Sequence, residues 1–241
     1  MPQLLLINPN TSAQVTDLLL THARRVAGPE VQIRAITASF GAPYISCEAS
    51  YAVAGHATLE AWVRDLASSW PAADAVLIGC FGDPGLLALQ QSSRAAVTGL
   101  AQAAMKEASS YGKFSILTGG ERWKPILFRL AQTLAMDAQL VGIHTVEPTG
   151  AQLAQDPSAA LVMLRQACRH AVKTDGCKAL ILGGAGLAGI AAQLADDFSV
   201  PIIDSVSAGV RQALLGIHKL DLRGQDKFNF DWPKPSTALP A

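Results

Sequence analysis

The sequence has no excess of charge of either sign, since 19 lysine and arginine residues balance 19 aspartate and glutamate residues. Nucleic acids and acidic membranes are usually bound by a basic surface, so we expect neither as a partner. No run approaches the roughly 20 apolar residues of a membrane span. The first apolar run, at residues 4–7, is too short for a signal sequence and follows no basic segment. We therefore expect a cytoplasmic protein.

Cysteine is scarce, and the four that occur are Cys47, Cys80, Cys168 and Cys177. None of them forms a C-x-x-C pair, so neither a zinc site nor a redox motif is indicated. Few cysteines suit a reducing compartment. Hydrophobic residues, by contrast, make up 50% of the 241 positions, which is enough for a sizeable core in one large domain or two small ones.

Apolar runs recur along the chain, and most end in a loop rich in glycine, proline or asparagine before a helical pattern begins. Runs without polar alternation are typical of parallel strands that are covered on both faces. Strands are predicted at residues 4–7, 31–38, 75–78, 94–100, 114–118, 139–144, 178–182 and 200–203. Helices are predicted at about 13–27, 48–69, 86–91, 123–136, 152–174 and 205–215, with one more ending at 109. Within the second helix, Leu59, Val63 and Leu66 are predicted to face the core.

The chain contains an internal repeat, because residues 74–82 align with residues 178–186 and bring Cys80 into register with Gly184. Two copies of one βαβ half predict an α/β fold of two pseudo-symmetric lobes. Each lobe is then a short parallel sheet flanked by helices, with the active site in the cleft between the lobes.

The repeat also suggests how the chain is divided between the lobes. We assign residues 1–97 and 206–241 to the first lobe and residues 98–205 to the second. The polar, proline-rich end of the chain carries Phe228, Phe230 and Trp232. These aromatic residues are expected to anchor a C-terminal tail on the body of the protein or on a neighbouring subunit.

Cys80 and Asn10–Thr11 stand where an open α/β sheet binds its ligands, directly beyond the carboxyl ends of two strands. Free cysteine often only fills a core, but Cys80 lies between two glycines at a strand end, which favours a function. Asn10 and Thr11 admit two interpretations, which the sequence leaves open. They can cap the following helix, or they can hold a carbonyl or carboxylate group of a ligand.

Six segments, in this order, resemble the Asp/Glu/hydantoin racemase superfamily and within it the hydantoin and allantoin racemase branch. They are residues 7–12, 41–45, 79–85, 114–118, 182–187 and 201–204. The resemblance implies a cofactor-independent isomerase in which two cysteines, one on each lobe, flank the stereocentre of the substrate. One takes the α-proton as thiolate and the other protonates the opposite face. Cys80 matches the first cysteine, and Gly184 stands where the second is expected.

The missing second cysteine leaves three hypotheses. The first is a racemase acting on a small cyclic ureide such as a 5-substituted hydantoin, with Cys80 as acid/base and a water or another group opposite. The second is a one-cysteine lyase or hydrolase, similar to the arylmalonate decarboxylases of the superfamily, although those resemble the mirror case and keep the cysteine of the second lobe. The third is an impaired or engineered variant that binds its substrate without turnover.

The expected site contains no metal and binds a small molecule. The expected hydrogen-bond donors to the ring carbonyls of a hydantoin are Asn10, Thr118 and the amides near Gly82 and Gly119. Phe40 and Tyr44 are expected to join the wall of the pocket. The substrate-binding residues expected are Asn10, Thr11, Pro43, Ile45, Phe81, Gly82, Thr118, Gly119, Ala185 and Gly186. Relatives are often oligomers, so a homo-oligomer is left open, although no heptad repeat in the chain argues for one.

Overall fold

The structure, a computed structural model, describes residues 1–148, 152 and 156–217. It contains two four-stranded parallel sheets with the strand orders β2-β1-β3-β4 and β6-β5-β7-β8. The predicted α/β fold of two similar lobes is confirmed. The predicted aromatic tail around Phe228, Phe230 and Trp232 lies outside the described residues, as does part of the helix predicted at 152–174.

The eight strands are short, and the central strands at residues 75–78 and 179–183 are apolar throughout because both of their faces are covered. Every residue of β3 and of β7 is buried. The strands are β1 (Gln3–Asn8), β2 (Gln32–Thr37), β3 (Ala75–Ile78), β4 (Ala96–Gly99), β5 (Phe114–Gly119), β6 (Leu140–Val146), β7 (Ala179–Gly183) and β8 (Ile202–Asp204).

Helices connect successive strands, including the last strand of the first sheet and the first strand of the second, and cover the faces of both sheets. They are α1 (Ala13–Ala27), α2 (Glu48–Leu66), α3 (Leu86–Ser92), α4 (Leu100–Ser109), α5 (Trp123–Thr133), α6 (Pro157–Asp175), α7 (Ile190–Leu194) and α8 (Ser205–Ile217). The short α7 was not predicted from the sequence. None of the helices in the described part of the chain is long and apolar enough to cross a membrane.

The main core lies between the two sheets and is shared by them. Alternate residues of β1 point to opposite faces, so Leu4 and Leu6 join this shared core while Leu5 and Ile7 pack under α2 and α3. The helices α4 and α8 contact each other and strands of both sheets. The predicted lobe boundaries, near residues 97 and 205, lie beside these two helices and stay a prediction.

The buried face of α2 agrees with the prediction at Leu59, which packs against the core, and differs from it at the two other residues. Val63 and Leu66 are exposed rather than inward, and the helix ends at Leu66 instead of residue 69. Its buried face is formed by Ala54, Ala57, Ala61 and Trp62. Small residues let the helix lie close to the sheet, so the alanines set the contact face and the larger aliphatic residues flank it.

Candidate active site

A cavity of about 270 Å³ lies at the carboxyl ends of β1, β3, β5 and β7, where loops of both lobes meet. Eleven of the residues predicted for the site from the sequence contribute to its wall: Asn10, Pro43, Tyr44, Ile45, Cys80, Phe81, Thr118, Gly119, Gly184, Ala185 and Gly186. Thr11 and Gly82 do not line it. The backbone N–H of Thr11 donates to Ala42 O (3.1 Å), and Gly82 O accepts a hydrogen bond from the Tyr51 hydroxyl (2.8 Å).

Cys80, a half-buried residue, stands two residues after β3 and contributes to the wall of the cavity. The Gly79 N–H donates to Ile7 O (2.7 Å), so the loop leaves the sheet only at Cys80 itself. Burial raises the pKa of the Cys80 thiol, and the nearby Asp83 carboxylate raises it further. The thiol is therefore the resting form at neutral pH.

Gly184 occupies the equivalent place after β7, and the space in front of it is open. A β-carbon built on Gly184 would meet no atom within 4 Å. Its backbone has φ 133°, a conformation that favours glycine, and its N–H donates to Ser205 Oγ (3.1 Å). A larger side chain therefore has room here, but it has to adopt a strained backbone.

Two aromatic rings interlock the loops of the two lobes. Phe81, beside Cys80, lies against Gly183, where any β-carbon would overlap its ring. Reciprocally, Trp123 at the start of α5 lies against Gly82, where a β-carbon would stand 2.5 Å from the ring. Each glycine leaves space for an aromatic side chain of the other lobe, so the position of Cys80 depends on both sheets.

Asn10 is held in place by Asn8, a fully buried residue that was missed as a site residue. The Asn8 amide donates to Asn10 Oδ1 (2.9 Å), to Ser12 O (3.0 Å) and to Thr16 Oγ1 (3.0 Å). Asn10 Oδ1 also accepts from the Ser12 N–H (2.9 Å). Because these bonds engage its oxygen, the group that Asn10 offers to a ligand is its NH₂ donor.

Thr118 was predicted to donate a hydrogen bond to the substrate, but its hydroxyl proton is already engaged within the protein. Its hydroxyl donates to Gly183 O (2.7 Å) and so ties β5 to the end of β7. The hydroxyl oxygen remains as an acceptor. Phe40, predicted in the wall, instead packs edge-on against His56 of α2, with ring centroids 5.1 Å apart.

Several residues of the cavity wall were not predicted from the sequence. Four of them, Ser12, Gln14, Val15 and Leu18, lie at or near the start of α1, and the remainder are Gly79, Trp123 and Gly183. The helical spacing of Gln14 and Leu18 puts them on one face of α1, which is the signal that could have indicated them. α1 also contacts the turn at Ala185–Leu187 of the second lobe, and this contact brings the start of the helix to the cavity.

The described wall of the cavity carries no charged side chain. Of the described residues that line it, none is Asp, Glu, Lys, Arg or His, and the titratable ones are Cys80 and Tyr44. In the described part of the chain, no three His, Cys, Asp or Glu side chains are grouped so that they could hold a metal ion. The polar side chains in this wall are those of Asn10, Ser12, Gln14, Tyr44, Cys80 and Thr118, and the two glycine-rich loops add backbone amides.

Comparison with known proteins places these features in a family. The model of the family described as Asp/Glu/Hydantoin racemase matches residues 4–213. A hydantoin racemase of Paenarthrobacter aurescens is 34% identical over 212 residues, covering 88% of this chain and 89% of that protein. The allantoin racemase of Klebsiella pneumoniae superposes with a TM-score of 0.84 at 32% identity, over 91% of this chain and 89% of that one. The allantoin racemase of Pseudomonas fluorescens gives 0.85 at 25% identity, over 99% and 100%.

Proposed function

We propose that this chain, a member of the Asp/Glu/hydantoin racemase family whose homologues include hydantoin and allantoin racemases, racemises 5-substituted hydantoins or closely related cyclic ureides. Cys80 is the acid/base on one face of the stereocentre, and solvent in the space at Gly184 serves the other face. No cofactor takes part in this proposal. The observation that carries it is that the described residues lining the cavity include Cys80 but no second thiol and no charged side chain.

The absence of charge among the described lining residues favours a neutral substrate. An α-amino acid or a dicarboxylate brings charges into the cavity, and an unpaired buried charge is costly. A hydantoin ring is neutral, with carbonyl oxygens and N–H groups that need hydrogen-bond partners. The NH₂ group of Asn10 and the backbone amides of Gly119, Ala185 and Gly186 can donate to carbonyls, and the hydroxyl oxygen of Thr118 can accept from a ring N–H.

The apolar part of the wall supports an apolar substituent at the stereocentre. Pro43, Ile45 and Phe81 come from the first lobe, while Trp123 comes from the second. A hydantoin with an alkyl or aryl group can bury that group here, whereas the ureido group of allantoin needs further hydrogen bonds. Apolar 5-substituted hydantoins are therefore the substrates we expect to be turned over fastest.

The reaction begins with removal of the α-proton, which the adjacent ring carbonyl makes relatively acidic. The Cys80 thiolate takes this proton, and the electron pair of the C–H bond moves into the carbonyl to form an enolate. Backbone N–H groups of the glycine-rich loops can stabilise the enolate oxygen. Because burial and Asp83 raise the pKa of the thiol, the thiolate is a minor species at neutral pH, and the rate should rise as the pH rises.

The second proton arrives on the opposite face. A water in the open space at Gly184 donates it to the carbanion carbon, which completes the inverted enantiomer and leaves hydroxide. The hydroxide then takes the proton from the Cys80 thiol through solvent, and the thiolate is restored. In the reverse direction hydroxide removes the α-proton and the thiol donates, as microscopic reversibility requires.

The test is proton NMR in heavy water with enantiopure 5-substituted hydantoins, in which the α-hydrogen signal and the optical rotation are followed together. We expect both to decay faster than background, and Cys80→Ser to abolish the difference. Cys47→Ser serves as the control, since this other thiol does not line the cavity. Loss of signal with rotation preserved would mean one-faced exchange, and a panel without any exchange would refute the proposal.

Gly184→Cys tests whether the second face is served from this position. The new thiol has space, and a positioned acid/base group contributes about 10²–10⁴-fold, so we expect racemisation to rise by about 10²-fold. Gly184→Ala is the matched control, because it introduces the same backbone strain without a thiol. A Gly184→Cys enzyme no faster than the Gly184→Ala enzyme would contradict the assignment of the second face.

A one-cysteine lyase is the competing function, and the glycine at position 184 is the observation that favours it. Decarboxylation, however, requires the binding of a carboxylate, and the described wall of the cavity offers that anion no cationic side chain. Release of carbon dioxide or opening of the hydantoin ring in the same NMR experiment would favour the lyase or hydrolase.

A further inference from the structure

Asp83 is a buried carboxyl group, 1% exposed, in the loop that carries Cys80, and the mechanism above gives it no chemical step. Its carboxylate accepts hydrogen bonds from two backbone N–H groups in the first turn of α4, Ala101 (2.9 Å) and Gln102 (2.6 Å). The Asp83 N–H donates to Cys80 O (3.1 Å), so the same residue closes the turn that begins at the cysteine.

The residue before α4 leaves space for the Asp83 side chain. Gly99 immediately precedes the helix and provides no side-chain cap, and a β-carbon at Gly99 would overlap the Asp83 carboxyl group. Asp83 itself has φ 54°, which is uncommon for a residue other than glycine. The carboxylate therefore reaches the helix only because residue 99 lacks a side chain and because its own backbone is left-handed.

The second lobe caps its equivalent helix in a different way. Asp204 immediately precedes α8 and accepts from the Ser207 N–H (2.7 Å), so α8 is capped by its own preceding residue. In the first lobe the capping carboxylate instead comes from the loop that holds the thiol. A helix cap alone does not require this arrangement, since an aspartate at position 99 would supply one.

We propose that Asp83 is a positioning residue for Cys80: its carboxylate fastens residues 79–85 to the start of α4 and so holds the thiol in place beside a negative charge. This inference rests on the proposed function only in that it assigns Cys80 to catalysis. Since α4 packs against β7, the same contact relates the thiol to the loop at Gly184.

The charged and titratable groups around Asp83 are few. Cys80 lies on its own loop, Tyr51 faces it from α2 and Arg129 from α5. The Arg129 guanidinium is engaged by the Glu48 carboxylate in two hydrogen bonds (2.7 and 2.9 Å), so its positive charge is largely balanced. Burial outweighs the backbone donors and raises the pKa of Asp83 to about 7, and it also raises the pKa of Tyr51. Above neutral pH, Asp83 is thus the anion that acts on Cys80.

The test measures the thiol directly and needs no substrate. Cys80 is alkylated with iodoacetamide as a function of pH and quantified by peptide mass spectrometry, in a Cys47→Ser background. In Asp83→Asn we expect the alkylation midpoint to fall by roughly one pH unit or more, the size of effect that a neighbouring charge has. Asp83→Ser, neutral and able to cap, replaces it if the asparagine variant does not fold.

Two further variants separate the charge from the structural contact. Asp83→Glu keeps the charge, so its midpoint should not fall, while its longer side chain cannot keep both bonds to α4 and racemisation should slow. Asp204→Asn removes the equivalent cap of the other lobe and should leave the Cys80 midpoint unchanged. An unchanged midpoint in a folded Asp83→Asn protein would overturn the inference even if no hydantoin is turned over, and a midpoint shift without turnover would refute only the proposed function.

Discussion

The contact between Phe81 and Gly183 allows the interlock between the lobes to be tested by a single added methyl group. In Gly183→Ala the new β-carbon would overlap the Phe81 ring, which is 4% exposed and has little space to move into. Overpacking of a well-packed core costs about 1–3 kcal/mol. Because Phe81 is the neighbour of Cys80, the displacement also reaches the thiol, and an ångström-scale error in position costs about 10²-fold in rate. We expect Gly183→Ala to lose both stability and racemisation.

A double-mutant cycle assigns this loss to the ring. Phe81→Leu removes volume and by itself leaves a cavity, at a cost of about 1 kcal/mol or more. In combination with Gly183→Ala, the smaller leucine makes room for the methyl group, so the two costs should not add. Urea unfolding followed by circular dichroism should show the double variant more stable than additivity predicts by about 1 kcal/mol or more.

Gly184→Ala is the control, because it makes the same chemical change one residue away. It meets no atom within 4 Å, so its cost comes from backbone strain at φ 133°, on the order of 1–3 kcal/mol. Phe81→Leu cannot relieve that strain, and these two changes should add. If the stability costs of Gly183→Ala and Phe81→Leu also simply add, the Phe81 ring does not restrict the space at Gly183 and does not interlock the two lobes.

Two further predictions concern buried carboxylates. Asp65 of α2, 5% exposed, forms two hydrogen bonds with Arg34 of β2 (2.7 and 2.6 Å), so Asp65→Asn leaves a largely buried guanidinium unpaired and should cost about 3–5 kcal/mol in urea unfolding. An Arg34→Met/Asp65→Leu protein should be more stable than Asp65→Asn alone, and equal losses would contradict this account. For Asp83 the folded pKa is raised from 3.8 to about 7, so its stabilising contribution is complete below pH 4 and is lost as the pH rises through 7. Relative to Asp83→Asn, the wild type should lose up to about 4 kcal/mol of unfolding free energy over this range, and parallel pH profiles would refute the raised pKa.

The sheets could be predicted from the sequence because their central strands are apolar runs with abrupt ends. Residues 75–78 and 179–183 are buried throughout, and loops at their carboxyl ends form the cavity wall where Cys80 was expected. Helix faces were harder to predict, as α2 shows, since its contact with the sheet is made by alanines while Val63 and Leu66 remain exposed. Hydrophobicity alone does not reveal which small residues allow a close approach.

The supporting contacts of the site could not be predicted, because each depends on two distant segments. In the sequence Asn8 looks like the polar end of a strand. Only the fold shows that it is buried next to Asn10, with its NH₂ group within hydrogen-bond distance of three oxygen atoms. Trp123 contributes to the cavity because Gly82, from the other lobe, leaves space for its ring. The glycines at such positions were visible as turn residues, but what each one accommodates is a property of the tertiary structure.

The two lobes are most informative where they depart from their own repeat. Gly99 immediately precedes α4, whereas Asp204 immediately precedes α8, the corresponding helix of the second lobe. Asp83, in the loop that carries Cys80, supplies the carboxylate that Gly99 lacks. At the cavity, Gly184 stands where the first lobe has Cys80. Among the described residues that line the cavity, no second thiol, carboxyl, imidazole or amine is present. The Asp83 carboxylate replaces the cap that Gly99 lacks, whereas only open space stands in front of Gly184. We therefore propose that Cys80 serves one face of the substrate and that solvent serves the other.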